Sequence, residues 1–527
     1  MDVPKQFTKV SESPTLPGKR GARKTFDVAD LYRDHSGQDG AVESAELGLD
    51  EKLRKAYFWI TNAAIITPFY DIEFNDGPAP EYTVGDSKSI VRLPSAQSYS
   101  SFVLLPLLTL AVRGKCLFVG GPGRGKTASA IIMGVLAGYP LIDIKRAIQH
   151  GQPQMTIADL LGNPLPADLM KAESMDAIRI AWRKWLAMRV KIIDEYNRIP
   201  TRTQSALLTV MADNYAEIMD QVYECPDAAW YLTANDDAGG GTYQVIEALR
   251  DRIDVVVHAL HFNSRFIGEL LARVDSGVKP ETLVPTEIIF TGEEIDRMHA
   301  DILAVEMPRA LLRRLEHFAS QFEFCEPAGE QIEYKTKDVV KLAGENPATL
   351  AERETGKSKA KDLGLQTANG LSVRAIMTIL VFTKALAYFR GAREVSLDDL
   401  RAMVPFVLHD KLVQNPDASF LEEQGNAVYR VDRVSWIRRL FDLSCAEYDQ
   451  VGLDKNDPVG ALMDAFARGL EGVTRKQAEE ALVAIERRMD AHQKERKLHG
   501  PIFDDILALK YLHQRYRNYL RWLEWQG

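Results

Sequence analysis

The sequence predicts an α/β fold, a parallel five-stranded sheet between helices, followed by an all-α region and a further helical extension. Three observations carry that expectation. Between residues 102 and 261, short apolar runs alternate with helical stretches, and KCLFVGG, YPLIDI, VKIIDE, AWYLTAN and DVVVHAL each read as a buried strand. Their nearly continuous apolar character suits a parallel sheet covered on both faces. Beyond residue 262 the strands fade and helical spacing takes over, as in MPRALLRRLEHFASQF and VRAIMTILVFTKALAYF. Finally, 527 residues are more than one core accommodates, so several domains are expected.

Taken in chain order, residues 1–26 are polar, rich in Pro and Gly and basic toward the end, which reads as a flexible tail, a docking arm being the alternative. Residues 27–95 form an N-terminal extension that is helical at least through DEKLRKAYFWITNAAII and has no role legible in it. Residues 96–261 are the α/β domain, and 262–413 a helical domain with a charged insertion, poor in large apolar residues, at about 325–365. Within that helical domain, Ser396 with Asp399 three residues on is an N-cap signature. Residues 414–527 are a helical extension with Arg- and Lys-rich faces, and the aromatics of YLHQRYRNYLRWLEWQG read as a packing face.

The bulk numbers exclude several classes. A net charge of −9 argues against general coating of nucleic acid, although a local basic channel fits inside an acidic whole. Cys116, Cys225, Cys325 and Cys445 are far apart and form no CxxC pair, so neither a zinc site nor a disulfide framework is suggested. The apolar run at 102–112 is about half the length a membrane-spanning helix needs. With no signal-like apolar segment at the start, a cytoplasmic protein without membrane insertion is expected.

FVGGPGRGKTASA, from Phe118 to Ala130, fits the P-loop pattern, with Gly120, Gly125, Lys126 and Thr127 at its fixed positions. A strand precedes it and a helix follows. Glycines let backbone N–H groups curl around phosphate oxygens, and the helix N-terminus adds partial positive charge. Gly120, Gly121, Pro122, Gly123, Arg124, Gly125, Lys126, Thr127 and Ala128 are therefore the expected phosphate cradle. Lys126 would reach the β- and γ-phosphates, and the Thr127 hydroxyl would ligate Mg2+.

VKIIDEYNR ends an apolar strand with two acids. Asp194 is placed to hold Mg2+, the Walker B role, and Glu195 to orient and deprotonate an attacking water, which points to hydrolysis. A strand that closes on Asn235 can hold that water against the γ-phosphate. In EALRDRID, Arg250 and Arg252 both precede the last strand, and an arginine there can neutralise charge on a phosphoryl group in a neighbouring subunit; a local salt bridge with Asp251 or Asp254 is the plainer alternative. Arg374, which opens a helix in GLSVRAIM, is a candidate to reach back to the nucleotide, against the plainer reading of a surface arginine.

From about Phe102 to Leu412 the chain resembles the MoxR family of AAA+ ATPases, in the helix-2-insert group. IDEYNRIPTRTQSALLTVM is similar to the family's DEINRAPPKTQSALLEAM; QPQMTIADLLG resembles its TPDLLPSDLLG; and the stretches around Asn235, Arg252 and Arg374 follow in the family's order. Tyr196 departs from the family's Ile, and Gly239 to Gly241 lengthen the loop before Thr242. The resemblance implies a P-loop AAA+ module with a lid, Mg-ATP hydrolysis at subunit interfaces of a homo-oligomeric ring, a hexamer, and a protein client remodelled in chaperone-like fashion. It implies Arg252 rather than Arg250 as the trans arginine, Arg374 in the sensor 2 place, and a pore-facing loop at about 162–175. The partner implied is a separate von Willebrand factor A domain protein. A nucleic-acid translocase is the main rival, with a non-hydrolysing scaffold and a metal-chelatase subunit behind it.

Overall fold

The computed structural model describes residues 48–526, apart from 67–68, 75–79, 86–89, 94–96, 171–177, 236–250, 260–262, 278, 323–362 and 495–499. The expected tail at 1–26, Arg250, Gly239 to Gly241 and nearly all of the expected insertion at 325–365 lie outside the described residues.

Strands β1 (Lys115–Val119), β2 (Gln149–His150), β3 (Val190–Asp194), β4 (Ala229–Ala234) and β5 (Val255–His258) make one sheet in the order β5-β1-β4-β3-β2. Every neighbouring pair is parallel. All six residues of β4 are buried, which explains why these strands show no polar alternation. Because the strands are parallel and in register, the segments after β1, β3 and β4 leave the sheet at one common edge. Val119 lies beside Ala234, Leu232 beside Ile193, and Asp194 beside His150.

One expected strand is a helix. YPLIDI runs into α4 (Leu141–Ala147), whose N-cap is Pro140, with Ile144 and Ala147 buried. Two apolar residues three apart make one helical face, Asp143 lies in the first turn, and Lys145 and Arg146 lie in the last, as the helix dipole favours. A six-residue apolar run is too short for its period to separate strand from helix. The fifth strand is instead the two-residue β2 just downstream.

The helices against the sheet are α2 (Ser101–Val112) and α3 (Lys126–Leu136), while α5 (Thr201–Asp213) packs on the strand Tyr215–Ile218 that follows it. The apolar run at 102–112 is α2, buried all round, with Tyr231 Oη donating to the Pro106 carbonyl at 2.9 Å. Helix α1 (Leu49–Trp59) continues through a wider turn at Ile60–Ala64. Tyr57 on α1 meets Phe389 and Tyr99 edge to face, and Lys52 pairs with Glu294 at 2.9 Å, so this part of the N-terminal extension is packed on the helical domain.

That domain contains α6 (Ile267–Ser276), α7 (Gly292–Ala304), α8 (Arg309–Ser320), α9 (Val373–Phe389) and α10 (Leu397–Leu408). Ser396 and Asp399 form the expected capping box at the start of α10. One hydrophobic core runs from α1 through the sheet and α7 to α10 into α11 (Arg433–Val451), while α6 contributes no residue to it. The last three helices, α12 (Pro458–Ala467), α13 (Arg475–His492) and α14 (Gly500–Gln526), enclose a core of their own that includes Val459, Leu482, Ile485, Leu509 and Leu512. Their aromatic end packs only in part: Tyr516 is buried against Phe466, while Trp525 is 89% exposed. The fold is a parallel α/β module followed by a helical domain and a helical C-terminal region.

Two β-hairpins project from the module. Gly162–Pro164 pairs with Ile180–Trp182, and Tyr215–Ile218 pairs with Gln221–Glu224. Trp182 and Tyr223 touch across them, ring centroids 5.4 Å apart.

Candidate nucleotide and cation site

The P-loop sits where β1 leaves the sheet and α3 begins. A Cβ at Gly120 would lie 2.6 Å from the Ala259 carbonyl oxygen, so the loop can approach β5 only with glycine there. Gly125, at φ 79°, makes the left-handed turn that starts α3. Lys126 is buried and folds back over the loop, donating to the Gly121 carbonyl at 2.9 Å and to the Gly120 carbonyl. Arg124 Nη1 donates to the Ala259 carbonyl at 2.9 Å, tying the loop to the end of β5.

At the same edge, Asp194 Oδ1 accepts from Thr127 Oγ1 at 2.8 Å and from Thr233 Oγ1 at 2.7 Å. Asp194 Oδ2 faces His150 Nδ1 at 3.2 Å, so that nitrogen carries the proton when the carboxylate is ionised. Glu195 stands in left-handed backbone, φ 54° and ψ 47°, a conformation that costs a non-glycine residue of order 1–3 kcal/mol. Its amide donates to Thr233 Oγ1 at 2.9 Å, which holds the turn. That turn swings the Glu195 side chain to Asn235, whose Nδ2 donates to Glu195 Oε1 at 2.9 Å. Asn235 Oδ1 accepts from Lys126 Nζ at 2.9 Å, and Glu195 Oε2 pairs with Arg198 at 3.1 Å. Lysine can only donate and an ionised carboxylate can only accept, so both partners fix the orientation of the Asn235 amide.

Lys126, Thr127, Asp194, Glu195 and Asn235 thus form one connected cluster. A hydroxyl and a carboxylate converge on it, hard oxygen donors that suit Mg2+ better than a softer metal. Reading the sequence did not single out Thr233 or His150. A threonine inside AWYLTAN looks like one more core position, yet its hydroxyl is shared by the two acids.

Beside the P-loop opens a cavity of about 720 Å3. Gly123, Gly125 and Ala128 form one wall, Ile65 and Phe69 from the N-terminal extension a second, and Leu270 and Val274 on α6 a third. Arg273 Nη1 donates to the Ala64 carbonyl at 2.7 Å, joining the second wall to the third. Asp71 also lines the cavity and accepts from the Ser101 amide and hydroxyl at 2.8 and 2.6 Å. Burial pushes its carboxyl above the ordinary value, against those hydrogen bonds. Mostly apolar walls with a few polar groups, in this size range, are the usual lining of a small-molecule site.

The two arginines lie elsewhere. Asp254 N donates to Lys115 O at the start of β1, which places Arg252 at the opposite edge of the sheet from the P-loop, on the order of 15 Å away for strands of this length. Arg374 is at that far edge too, in an ion pair with Asp251. Arg374, expected either to reach back to the nucleotide or to be a plain surface arginine, is here paired with Asp251; the salt-bridge alternative concerns Arg250 and Arg252, of which Arg250 lies outside the described residues.

Residues 115–255 match the family described as ATPase family associated with various cellular activities (AAA), and residues 360–429 match the AAA lid domain. The chain is 25% identical to Chaperone MoxR1 of Mycobacterium tuberculosis over 313 residues, 59% of this chain and 71% of that one. It is 23% identical to YeaC of Bacillus subtilis, a protein without an assigned function, over 335 residues, 62% of this chain and 86% of that one. Among the described residues, no helix is long and apolar enough to cross a membrane.

Proposed function

Given a chain that belongs to the MoxR-like AAA+ ATPases, we propose that it hydrolyses Mg-ATP at the boundaries between subunits of a ring and uses the cycle to remodel a protein client. The observation that carries this reading is the chain of bonds from Lys126 through Asn235 to Glu195, beside the Thr127–Asp194 pair.

In this reading the P-loop amides from Gly120 to Ala128 and the Lys126 ammonium hold the triphosphate, and the cavity beside them takes the nucleoside. Thr127 and Asp194 hold Mg2+, which when bound supplies positive charge to the phosphate oxygens. Glu195 takes the proton of the attacking water, and Asn235 fixes that water against the γ-phosphate. Asn235 and Arg198 each hold one Glu195 oxygen, which fixes the carboxylate while leaving lone pairs for the water's proton.

The separation between P-loop and Arg252 supports completion of each site by the next subunit. A ring in which the far edge of one sheet faces the P-loop edge of the next brings Arg252 to the γ-phosphate, and Arg374 travels with it on Asp251. The hairpins joined through Trp182 and Tyr223 are the candidate client contacts, with the 162–175 loop in the first of them; its residues 171–175 lie outside the described set. MoxR1 is named a chaperone, which is in keeping with a protein client, and a separate von Willebrand factor A domain protein is the proposed partner.

The test is Glu195→Gln. Phosphate release should fall about 10^2- to 10^4-fold while nucleotide binding and the ATP-dependent oligomer, weighed by light scattering, persist. Normal turnover by that variant would remove Glu195 as the base; a monomer in ATP would remove the ring.

A further inference from the structure

The segment that carries Arg252 is gripped by the lid of its own chain. Lys411, just beyond the end of α10, points its Nζ at the carbonyl oxygen of Asp251 at 3.1 Å and at that of Ile253. The first oxygen belongs to the peptide unit between Asp251 and Arg252 and the second to that between Ile253 and Asp254, so the two bonds bracket Arg252 and Ile253. Around them, Ser372 Oγ donates to Asp251 Oδ1 at 2.9 Å, Arg374 pairs with Asp251, and Thr378 Oγ1 donates to Asp254 Oδ1 at 2.9 Å. The other Asp254 oxygen accepts from the Lys115 amide at 2.8 Å, so the grip ends on the strand that leads to the P-loop.

Lys411 is the informative member. Its ammonium is largely removed from water, and burial pulls its pKa below the ordinary lysine value, opposed by Asp254, Asp251 and Asp410. Its two hydrogen bonds go to main-chain carbonyls rather than to those carboxylates. A desolvated cation bonded to two carbonyls makes charge-assisted bonds, stronger than neutral ones, and here the two clamp the backbone before and after the Arg252–Ile253 pair. The same helical domain walls the nucleoside cavity through Leu270 and Val274.

We propose that Lys411 is a positioning residue for Arg252, through which the lid of one subunit sets the place of the arginine that completes the neighbour's site. The inference rests on the reading that Arg252 acts across a subunit boundary. Its consequence is that nucleotide held under one lid and hydrolysis in the next subunit share one set of bonds, at Asp251 to Asp254.

The experiment compares Lys411→Met, Lys411→Arg and Arg252→Ala as full chains, reading kcat, KM for ATP, affinity for a fluorescent ATP analogue, and Tm. Lys411→Met should lower kcat about tenfold to a hundredfold, the scale of an ångström's misplacement of a catalytic group, with KM, analogue affinity and Tm nearly unchanged. Lys411→Arg should restore most of the rate. The decisive arm is subunit mixing. A Lys411→Met subunit has an intact P-loop side and a misplaced arginine, and a Glu195→Gln subunit the reverse. Rings mixed from the two should turn over faster than the weighted mean of the pure rings. Mixed rings on that mean, or Lys411→Met at the wild-type rate while Arg252→Ala is dead, would overturn the inference alone. Arg252→Ala at the wild-type rate would instead overturn the trans reading beneath it. If Lys411→Met does not fold, Lys411→Gln, which keeps one donor group, carries the same comparison.

Discussion

Polar side chains at the P-loop edge of the sheet converge on one point, whereas most of those of α12, α13 and α14 surround a separate apolar core, the buried His492 and half-buried Asp505 being exceptions. At the sheet edge, Lys126, Asn235, Glu195, Asp194, Thr127 and Thr233 are joined by hydrogen bonds of 2.7–2.9 Å, and the core beneath them is continuous from α1 to α11. The C-terminal helices have a core separate from that one and meet the lid in part through ion pairs of Arg309 with Asp464 and Arg313 with Asp457. A continuous core transmits small displacements, while exposed ion pairs contribute little and let two bodies differ. The first region should therefore be sensitive to single atoms, and the second should be dispensable for turnover.

The largest expected effect lies at the far edge of the sheet. Arg252→Ala should lower kcat by roughly a thousandfold or more, the scale for a trans arginine in phosphoryl transfer, with little change in nucleotide affinity. Steady-state phosphate release and equilibrium binding of a fluorescent ATP analogue separate the two quantities. A matching loss of affinity would put Arg252 in its own chain's site and break the two-edge arrangement.

How much of this was legible follows from the same contrast. Lys126, Thr127, Asp194, Glu195 and Asn235 could be read because each is a polar residue where an apolar strand or a glycine loop ends, a local signal. Thr233 lies one residue inside such a strand and gives no signal. YPLIDI misled because six residues hold too few turns to fix a period. The second hairpin was invisible because Met219 and Asp220, at φ 51° and 61°, occupy turn positions that Asn-Gly or Asp-Gly would normally announce. The cavity wall at Ile65, Phe69 and Asp71 carries no motif, since apolar walls are specified by shape. Arg374 was placed by order along the chain, which does not say which edge of a sheet a lid helix visits.

A smaller effect belongs to the separate core. Asp505 on α14 has its carboxyl pushed up to about 6, first by burial and then by Asp457, with Asp504 adding to it and Arg488 and Arg313 opposing; His492 Nε2 lies 3.7 Å away. A folded pKa above the unfolded value of 3.8 means that the folded chain holds the proton more tightly. That stabilisation is fully present below the unfolded value and is lost as pH rises through about 6, worth at most about 3 kcal/mol. Asp505→Asn should therefore gain stability over the parent chain as pH rises from about 4 to 7, in thermal melts followed by α-helical circular dichroism. A difference that stays constant with pH would show that Asp505 does not titrate in this window.

The smallest effect on turnover is the sharpest test of the comparison. A chain ending at Asn456 lacks α12, α13 and α14 but retains Asp449 and Asp454 as partners for Arg314. What it loses at the lid surface are the pairs of Arg309 with Asp464 and Arg313 with Asp457, and the close approach of Gly500 to the Ser320 carbonyl oxygen. The Arg309–Asp464 pair is exposed and worth about 0–1 kcal/mol; Arg313–Asp457 is half-buried, and no member of the Lys126–Asn235–Glu195 chain bonds to either. Phosphate release should then stay within about threefold of the parent chain, because distant, uncoupled sites act independently. A drop beyond tenfold would mean that these helices bear on the ring or the lid, and that their separate core serves the motor. Retained turnover with lost client processing would make them the part that selects what the motor acts on.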